Sequence, residues 1–427
     1  MPGLRLDGLD IDTVFALFDT YLDGPADHPV GVAVSGGGDS VALLHMLHAW
    51  GMRPLEVLCV DHGINPLSVD WTQSVQAHAE RIGAGFTALH WTGAKPKTGL
   101  SAAARRARHA LLADAAREKS IRVICLAHTQ DDIAEAAIMA EEGSSVGAPV
   151  MWAPSPAWPQ GLGVHLFRPL LGQSRKGLRD FLVERSLSWI DDPANDDMAS
   201  ARARARRQVS QTPLAPVVAA APARIDPSSL LRDADTLGAL GMIVLDAAGF
   251  GALPQALARR CLSAAVVSAG GGDALPSSDS IDRLIHELQH ETAHTLCGAR
   301  VQRVAGRIEI VREAGEFARH GLPPLPVAAG IETVWDGRFA VRSDYSFMVQ
   351  PSIETRSGLS EKDQARLKSL PAALRTVLPV ADIDGDKALL SGPHGTEFAC
   401  WVLPRFLAAS GVFARESDLC EASQKPL

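Results

Sequence analysis

The first half of the chain predicts an α/β fold in which helices cover both faces of a parallel sheet. Short apolar runs alternate with segments of helical periodicity, and a glycine-rich turn joins the first run to the first helix. This alternation is typical of βα units. In such sheets ligands bind at the carboxyl ends of the strands. The predicted strands are residues 30–34, 55–60, 86–91 and 122–127, and the predicted helices are residues 41–49, 68–82, 100–119 and 131–139.

The remaining segments predict the domain organisation. Residues 143–163 are rich in Pro, Ser, Gly and Trp and predict a loop or lid, whereas residues 174–186 predict another helix and residues 191–197 a turn. A Pro/Ala-rich stretch predicts a linker after the α/β domain, and the short alternating runs after residue 299 favour a mixed α and β C-terminal part. The predicted parts are an α/β domain at 1–211, a linker at 212–227, a mainly helical middle domain at 228–315 with helix candidates at 252–269 and 280–288, and a small mixed domain at 316–427.

Composition limits the class of protein. The chain has 427 residues, of which 46% are hydrophobic, and a net charge of −8. No run approaches the roughly 20 apolar residues of a membrane span, and the first residues do not resemble a signal peptide, so we expect a cytoplasmic protein with no membrane partner. The six cysteines show no C-x-x-C spacing, which argues against a zinc or redox pair. Negative net charge does not exclude nucleic-acid binding, because binding depends on local patches.

The segment Ser35-Gly36-Gly37-Gly38-Asp39-Ser40 lies between the first strand and the first helix and predicts a phosphate-binding loop. Glycines let the backbone approach a ligand closely, and the helix N-terminus favours an anion. The two serine hydroxyls add donors. An aspartate beside phosphate indicates a bound cation, so Asp39 is the candidate ligand for Mg²⁺. The alternative is an ordinary glycine-rich turn between strand and helix.

Other glycine motifs do not fit this loop. The G-x-x-x-x-G-K-[ST] and G-x-G-x-x-G patterns are absent, and Ala33 replaces the first glycine of the G-x-S-x-G nucleophile elbow. A superficially similar run at residues 266–273 follows a helical stretch and precedes Pro276. It predicts the end of a helix rather than a second site.

The S-G-G-x-D-S pattern resembles the PP-loop of the ATP pyrophosphatase superfamily, whose members cleave ATP between its α and β phosphates and adenylate a substrate oxygen. Five further segments, in their order and spacing, resemble the tRNA(Ile)-lysidine synthases over roughly residues 28–210. These segments are Asp61-His62-Gly63, residues 104–109, residues 127–135, residues 168–171, and residues 192–197 followed by Arg202, Arg204 and Arg206.

The resemblance implies a reaction on the isoleucine tRNA that carries a CAU anticodon. ATP adenylates the C2 oxygen of the first anticodon cytidine, the side-chain amine of free lysine attacks C2, and AMP leaves. It also implies that the C-terminal domain binds tRNA. The implied catalytic residues are Asp39, Asp132, Glu135 and Arg105; the ATP-binding residues are Ser35 to Ser40 with Asp61 and His62; and the tRNA or phosphate contacts are Arg108, Arg202, Arg204 and Arg206.

Several of these residues also have simpler interpretations. Asp132 and Glu135 share one face of a helix start, where they could bind the lysine ammonium, take a proton from it, or merely complement the helix dipole. Arg105 and Arg108 could contact phosphate or lie on a solvated helix face. The arginine run after residue 200 could hold phosphates or flank a linker. His62 could lie near the adenine or simply end a strand.

The sequence departs from the family pattern in places. Glu141 and Glu142 stand where a basic stretch is usual, His109 occupies an aromatic position, and Ala194 replaces a serine. Two tryptophans in the insert, Trp152 and Trp158, could stack on a base or pin the loop.

Two alternative functions remain open. One is another PP-loop enzyme, such as a tRNA thiolase or an amide-forming synthetase, although no cysteine cluster supports thiolation. The other is a non-catalytic nucleotide-binding or RNA-binding protein on the same fold.

Overall fold

The structure, a computed structural model, describes residues 5–6, 8–65, 67–93, 95–144, 147–192, 200–210, 227–290, 292–354, 358–390, 392 and 395–424. Asn195, which we predicted to form a turn, and nearly all of the predicted linker at 212–227 lie outside these residues. The chain forms two compact units, Met1–Pro222 with Phe413–Pro426, and Ala223–Val412 with Leu427. No described helix is long and apolar enough to cross a membrane.

The strands of the first unit are β1 (Arg5–Leu6), β2 (Leu9–Asp10), β3 (Val30–Ala33), β4 (Leu55–Asp61), β5 (Gly85–His90), β6 (Val123–Cys125), β7 (Trp152–Pro154) and β8 (His165–Phe167). Strands β1 and β2 pair with each other. The other six form a sheet in the order β5-β4-β3-β6-β8-β7, in which only the edge strand β7 is antiparallel to its neighbour, and this confirms the predicted parallel sheet. The helices of the first unit include α1 (Ile11–Tyr21), α2 (Gly38–Trp50), α3 (Ser68–Ile82), α4 (Leu100–Glu118), α5 (Gln130–Glu141), α6 (Arg175–Glu184) and α7 (Ala201–Ser210).

Helix α2 lies at the centre of this unit because it is apolar on nearly every face. Every residue from 40 to 47 is buried, and Val41, Leu43 and Leu44 are fully inaccessible to solvent. Val30 and Val32 of β3 belong to the same core. The strand and helix that flank the glycine loop are therefore fixed by hydrophobic burial, which holds the loop between them in place.

The second unit consists of helices and three antiparallel sheets, in the orders β11-β12-β13-β10-β9, β14-β17-β18-β19 and β15-β16-β20. Its strands are β9 (Leu231–Arg232), β10 (Ile243–Asp246), β11 (Ala293–Leu296), β12 (Ala299–Val304), β13 (Arg307–Arg312), β14 (Leu325–Val327), β15 (Thr333–Trp335), β16 (Phe339–Arg342), β17 (Phe347–Pro351), β18 (Pro379–Ile383), β19 (Asp386–Leu389) and β20 (Glu397–Cys400). Its helices are α8 (Ala247–Gly251), α9 (Gln255–Gly270), α10 (Ser278–Glu287), α11 (Ala314–His320), α12 (Glu361–Ser369) and α13 (Val402–Ser410).

The middle segment at 228–315 contains more strand than the sequence indicated. It holds the helices α8, α9 and α10, and in addition the whole five-stranded sheet. Strands of two to six residues show too few alternations for a clear period-two pattern, whereas a long apolar run such as α9 is readily predicted as a helix. Helix α9 ends at the predicted place, because Gly271 caps it with a φ of +74°. The domain boundaries themselves stay a prediction.

The last described helix, α14 (Glu416–Gln424), belongs to the first unit although the second unit separates it from the rest in sequence. Glu416 forms a bidentate ion pair with Arg53, with oxygen–nitrogen distances of 3.0 and 3.1 Å. Both side chains are only 2% exposed. Arg53 also donates to the carbonyls of Leu22 and His28. Helix α14 therefore completes the first unit.

Trp152 contributes to the same attachment. Its side chain is 3% exposed, packs against Tyr21 and Phe167, and donates from Nε1 to the Phe413 carbonyl at 3.0 Å. A buried indole cannot stack on a base, so the pinning interpretation applies to Trp152. The predicted loop at 143–163 thus includes the short edge strand β7.

We expect Glu416→Gln to lower the free energy of unfolding of the full chain by about 3–5 kcal/mol, because it leaves the Arg53 guanidinium buried without a charged partner. Chemical denaturation checks this value. The control is Arg415→Gln, because the Arg415 side chain is 52% exposed beside Asp23. For this variant the free energy of unfolding should change by no more than about 1 kcal/mol. Equal effects of the two substitutions would contradict the assignment.

Candidate active site

The predicted phosphate loop runs from the end of β3 into α2. Gly36 has a φ of +86°, and a Cβ atom there would lie 2.5 Å from Cδ1 of Ile190. Gly37 is the N-cap of α2 and makes no side-chain capping bond, so no side chain of the cap covers the helix N-terminus. The Ser40 hydroxyl accepts from the Ser35 amide at 3.2 Å and donates to the Gly37 carbonyl at 2.8 Å. Ser40 therefore braces the loop internally.

A cavity of about 850 Å³ opens in front of this loop at the carboxyl ends of the strands. Its volume falls within the roughly 300–1,000 Å³ typical of small-molecule sites. Most of the predicted site residues line it, namely Ser35, Gly37, Gly38, Asp39, Ser40, Asp61, His62, Arg108, Asp132, Arg202 and Arg206. Four others do not line it: Gly36, Glu135, Arg105 and Arg204.

Beside the cavity lies an acid–arginine cluster, formed by Asp39, Asp131, Asp132, Glu135, Arg175, Arg202 and Arg206. The Glu135 carboxylate, 2% exposed, is its centre. Arg175 Nη1 and Arg206 Nε lie 3.0 and 3.1 Å from Oε1, and Arg202 Nε lies 3.1 Å from Oε2. Three guanidinium groups thus surround this one buried carboxylate, and their hydrogen bonds offset the cost of burying it.

Asp132 has two functions that correspond to its two oxygens. Oδ2 accepts from the Thr129 amide at 2.7 Å and so caps α5. Oδ1 receives a short hydrogen bond from Arg202 Nη2. Burial would raise the pKa of Asp132, but Arg202, His128, the Thr129 amide and Arg175 together lower it. The carboxylate is therefore ionised at neutral pH, and only one of its oxygens serves the start of the helix.

Arg175 connects this cluster to the phosphate loop. The Ser174 side chain caps α6, which places Arg175 at the first position of the helix, with its amide 2.9 Å from Asp131 Oδ2. Its Nε lies 3.2 Å from Asp39 Oδ2. Burial raises the pKa of Asp39 although Arg175 opposes the shift. Conversely, the surrounding carboxylates, led by Asp39, raise the pKa of Arg175 despite its burial.

Arg175 was not among the predicted site residues. The signal available in the sequence was its place four residues after the Arg168-Pro169-Leu170-Leu171 segment, at the start of a predicted helix. Only the tertiary structure shows that this first-turn arginine meets acids of α2 and α5. Arg179 also lines the cavity and pairs with Asp191 at 3.1 Å.

The other predicted arginines occupy different environments. Arg108 lines the cavity, its Nε has no hydrogen-bond partner among the described residues, and burial lowers its pKa to about 10. Arg105 is exposed and lies outside the cavity lining. Arg204 is also exposed and lies 3.4 Å from Glu142 Oε2, so one of the unusual acids after α5 has a basic partner.

Asp61 is the last residue of β4, His62 follows it, and both line the cavity. Asp61 Oδ1 accepts from the Gly63 amide at 2.7 Å, which turns the chain at the end of the strand. Burial and the nearby Arg108 lower the pKa of His62. This imidazole is therefore neutral at neutral pH and packs edge-on against Trp91 at a ring distance of 6.2 Å.

Comparison with known proteins identifies the family. Residues 14–212 match the model of the PP-loop domain family ATP_bind_3. A tRNA(Ile)-lysidine synthase of Caulobacter vibrioides is 40% identical over 422 residues, which cover 95% of this chain and 99% of that protein. The enzyme of the same name from Ruegeria pomeroyi is 37% identical, over 73% of this chain and 76% of that protein. The chain belongs to the tRNA(Ile)-lysidine synthase family.

Membership of the tRNA(Ile)-lysidine synthase family confirms the sequence resemblance and the enzyme class that it implied. The chain is an ATP-using enzyme of the PP-loop type. Membership therefore favours the phosphate-binding interpretation of the glycine loop over an ordinary turn.

The residues around the cavity suit a nucleotide with its phosphates. Buried nitrogen atoms of three cavity-lining side chains, His62 Nδ1, Arg108 Nε and Arg175 Nη2, have no hydrogen-bond partner in the described residues. Buried polar atoms are normally satisfied, so an acceptor-rich ligand is expected there. Phosphate oxygens beside the N-terminus of α2 would supply such acceptors.

The donor set also fits Mg²⁺ when it arrives with phosphates. The described residues contain no group of three or more His, Cys, Asp or Glu side chains that could hold a metal ion. Mg²⁺ is commonly held by one or two carboxylates together with substrate phosphates and water. Asp39, in the first turn of α2, is the carboxylate of the phosphate loop in this position.

We expect Gly36→Ala to lower the free energy of unfolding by about 1–3 kcal/mol and to weaken ATP binding at least about tenfold, because the residue has a left-handed backbone and no room for a Cβ atom. Gly37→Ala is the matched control, since Gly37 has a φ of −67° and the nearest atom to its added Cβ would be 3.6 Å away. Chemical denaturation and ATP titration measure both effects. Equal stability losses in the two variants would contradict this reasoning.

Proposed function

We propose that the protein converts the wobble cytidine of isoleucine tRNA with a CAU anticodon into lysidine, using ATP, Mg²⁺ and free lysine. The observation that carries this proposal is the acid–arginine cluster next to the phosphate loop, within a chain of the tRNA(Ile)-lysidine synthase family. Such a site holds phosphates on one side and has carboxylates for an amine on the other.

The first chemical step is adenylation. The C2 oxygen of the cytidine attacks the α-phosphorus of ATP, the bond to the β-phosphate oxygen breaks, and pyrophosphate leaves. The open N-terminus of α2 and the unpaired Nε of Arg108 provide donors for phosphate oxygens. Mg²⁺ held through Asp39 would neutralise negative charge on the phosphates. Arg175, bound to Asp39, keeps that carboxylate in place.

The second step is attack by lysine. The side-chain ammonium gives up a proton to a carboxylate, the free amine forms a bond to C2, and the bond between C2 and the adenylate oxygen breaks to release AMP. Asp132 and Glu135 lie one helical turn apart on α5, which suits them to hold the ammonium and accept its proton.

Lysine can reach these carboxylates only if an arginine moves away. Oδ1 of Asp132 and both oxygens of Glu135 already have guanidinium partners, and Oδ2 of Asp132 caps the helix. Arg202 is the most exposed of the three arginines, at 48% against 29% for Arg206 and 13% for Arg175. We therefore propose that the lysine ammonium displaces Arg202 from these carboxylates. The guanidinium of Arg202 can then bind phosphate.

We expect Arg202→Gln to tighten the binding of free lysine about tenfold, because a competing cation is removed, while the rate of lysidine formation falls. Arg202→Lys keeps a cation and should leave lysine affinity near that of the unmodified protein. Isothermal titration with lysine measures both, with Arg204→Gln as the control on the same helix. Weaker lysine binding in Arg202→Gln would show instead that Arg202 itself binds the carboxylate group of free lysine.

The substrate assignment has its own test. The full chain is incubated with ATP, Mg²⁺, labelled lysine and a CAU isoleucine tRNA transcript, with elongator methionine tRNA as the control RNA. We expect label only in the isoleucine tRNA, and a loss of at least roughly 100-fold in Asp39→Asn, where charge neutralisation at the phosphates is removed. Asp180→Asn is the matched variant, because Asp180 pairs with Lys176 at 2.9 Å on the exposed face of α6 and should leave the rate unchanged.

Other outcomes of this assay have definite meanings. Release of AMP only with a different acceptor would retain the PP-loop chemistry and reject the lysidine substrate. No AMP with any acceptor would favour a nucleotide-binding or RNA-binding protein.

The remaining parts of the proposal concern the tRNA. Arg204 and the freed Arg202 are suited to tRNA phosphates, and the segment 316–427 is proposed to bind the body of the tRNA. Arg105 is exposed and keeps its proposed contact with phosphate or AMP only if the ligand extends beyond the cavity. The proposed reaction places the protein in the cytoplasm with its substrate.

A further inference from the structure

His128 lies at the carboxyl end of β6 and lines the cavity, yet the reaction proposed above gives it no function. Strand β6 pairs directly with β3, whose carboxyl end carries the phosphate loop. The imidazole and the loop therefore follow neighbouring parallel strands and face the same cavity. Its state of protonation decides what it can do there.

The hydrogen bond to Arg168 determines that state. Nδ1 of His128 lies 3.2 Å from Nε of Arg168. A guanidinium has no acceptor and does not lose its proton in proteins, so Nδ1 must accept the bond and carry no hydrogen. A neutral imidazole then carries its proton on Nε2. Protonation of Nδ1 would instead oppose two donors and place a second positive charge next to the first.

Arg168 is itself held in position. It is 6% exposed, its Nη1 donates to the Val150 carbonyl at 2.9 Å, and its amide donates to the Met151 carbonyl at 2.8 Å. The first bond holds the guanidinium, and the second holds the backbone of the residue that carries it. The imidazole therefore cannot regain a free Nδ1 without breaking a buried network.

The other charged groups that face His128 favour the same neutral form. Arg108 and Arg202 oppose a positive ring, and Asp132 attracts one. His109, on α4, also faces it and has its own pKa lowered to about 3. Burial, with Arg168 next, lowers the pKa of His128 to about 3 despite Asp132. The ring is thus uncharged throughout the physiological pH range.

We propose that Arg168 is a positioning residue that keeps His128 as a neutral Nε2–H donor, and that this donor binds a phosphoryl oxygen of the nucleotide. This inference rests on the proposed function for its substrate. His128 is then not the base that takes the proton from lysine, which leaves that task to the carboxylates of α5. Arg168 acts through the imidazole and contacts no substrate.

The test that needs no substrate is a ring-nitrogen NMR spectrum of the full chain labelled with ¹⁵N-histidine, with His128 assigned by its loss in His128→Gln. We expect an Nε2–H tautomer that does not titrate between pH 5 and 8. In Arg168→Met the ring should titrate with a pKa closer to the ordinary histidine value of about 6.5. A His128 signal that titrates near pH 6–7 in the unmodified protein would overturn the proposal.

Kinetics test the donor role separately. Glutamine keeps an N–H group near the position of Nε2, so His128→Gln should retain the rate of AMP formation within about tenfold of the unmodified protein, whereas His128→Leu should lose at least about 100-fold. Equal losses in the two variants would overturn the donor role. If the unmodified protein makes no lysidine, the proposed function fails. The tautomer of His128 is still tested by NMR, and its donor role is still tested by the ATP affinities of His128→Gln and His128→Leu.

Discussion

The buried carboxylate of Glu135 is the constraint on which the rest of the site depends. It receives guanidinium groups from α6 and from two positions of α7, and it lies on α5 beside the cavity. Because an unpaired charge in this position would be costly, these three helices must stay together. Through Arg175 the same network reaches Asp39 at the start of α2. The phosphate loop and the acids of α5 are thus one electrostatic unit.

The residues that could be predicted from the sequence are those whose signal is local. The glycine loop between an apolar strand and an apolar helix, and the polar residues at strand ends such as Asp61 and His62, follow from short patterns. Arg175 could not be found in this way, since it pairs with an acid 136 positions away. Likewise, nothing near His128 indicates that Arg168, which is 40 positions further along, determines its tautomer.

Three partial failures have the same physical origin. Asp132 was predicted either to complement the helix dipole or to act in the site; one of its oxygens bonds to the start of α5 and the other to Arg202, and only the fold separates the two contacts. Trp152 was a candidate for stacking on a base, but its indole is buried and bonds to the Phe413 carbonyl. No local sequence pattern predicts this contact. The short strands of the middle segment were missed because their pairing partners, not their own residues, make them strands.

The return of α14 to the first unit affects how the protein folds during its synthesis. Domains commonly fold in order as they leave the ribosome, beginning with the N-terminal one. Here the first unit lacks Glu416, the partner of its buried Arg53, until the second unit has been translated. A chain interrupted before residue 416 therefore lacks a part of its ATP-binding half even though the whole glycine loop has been made.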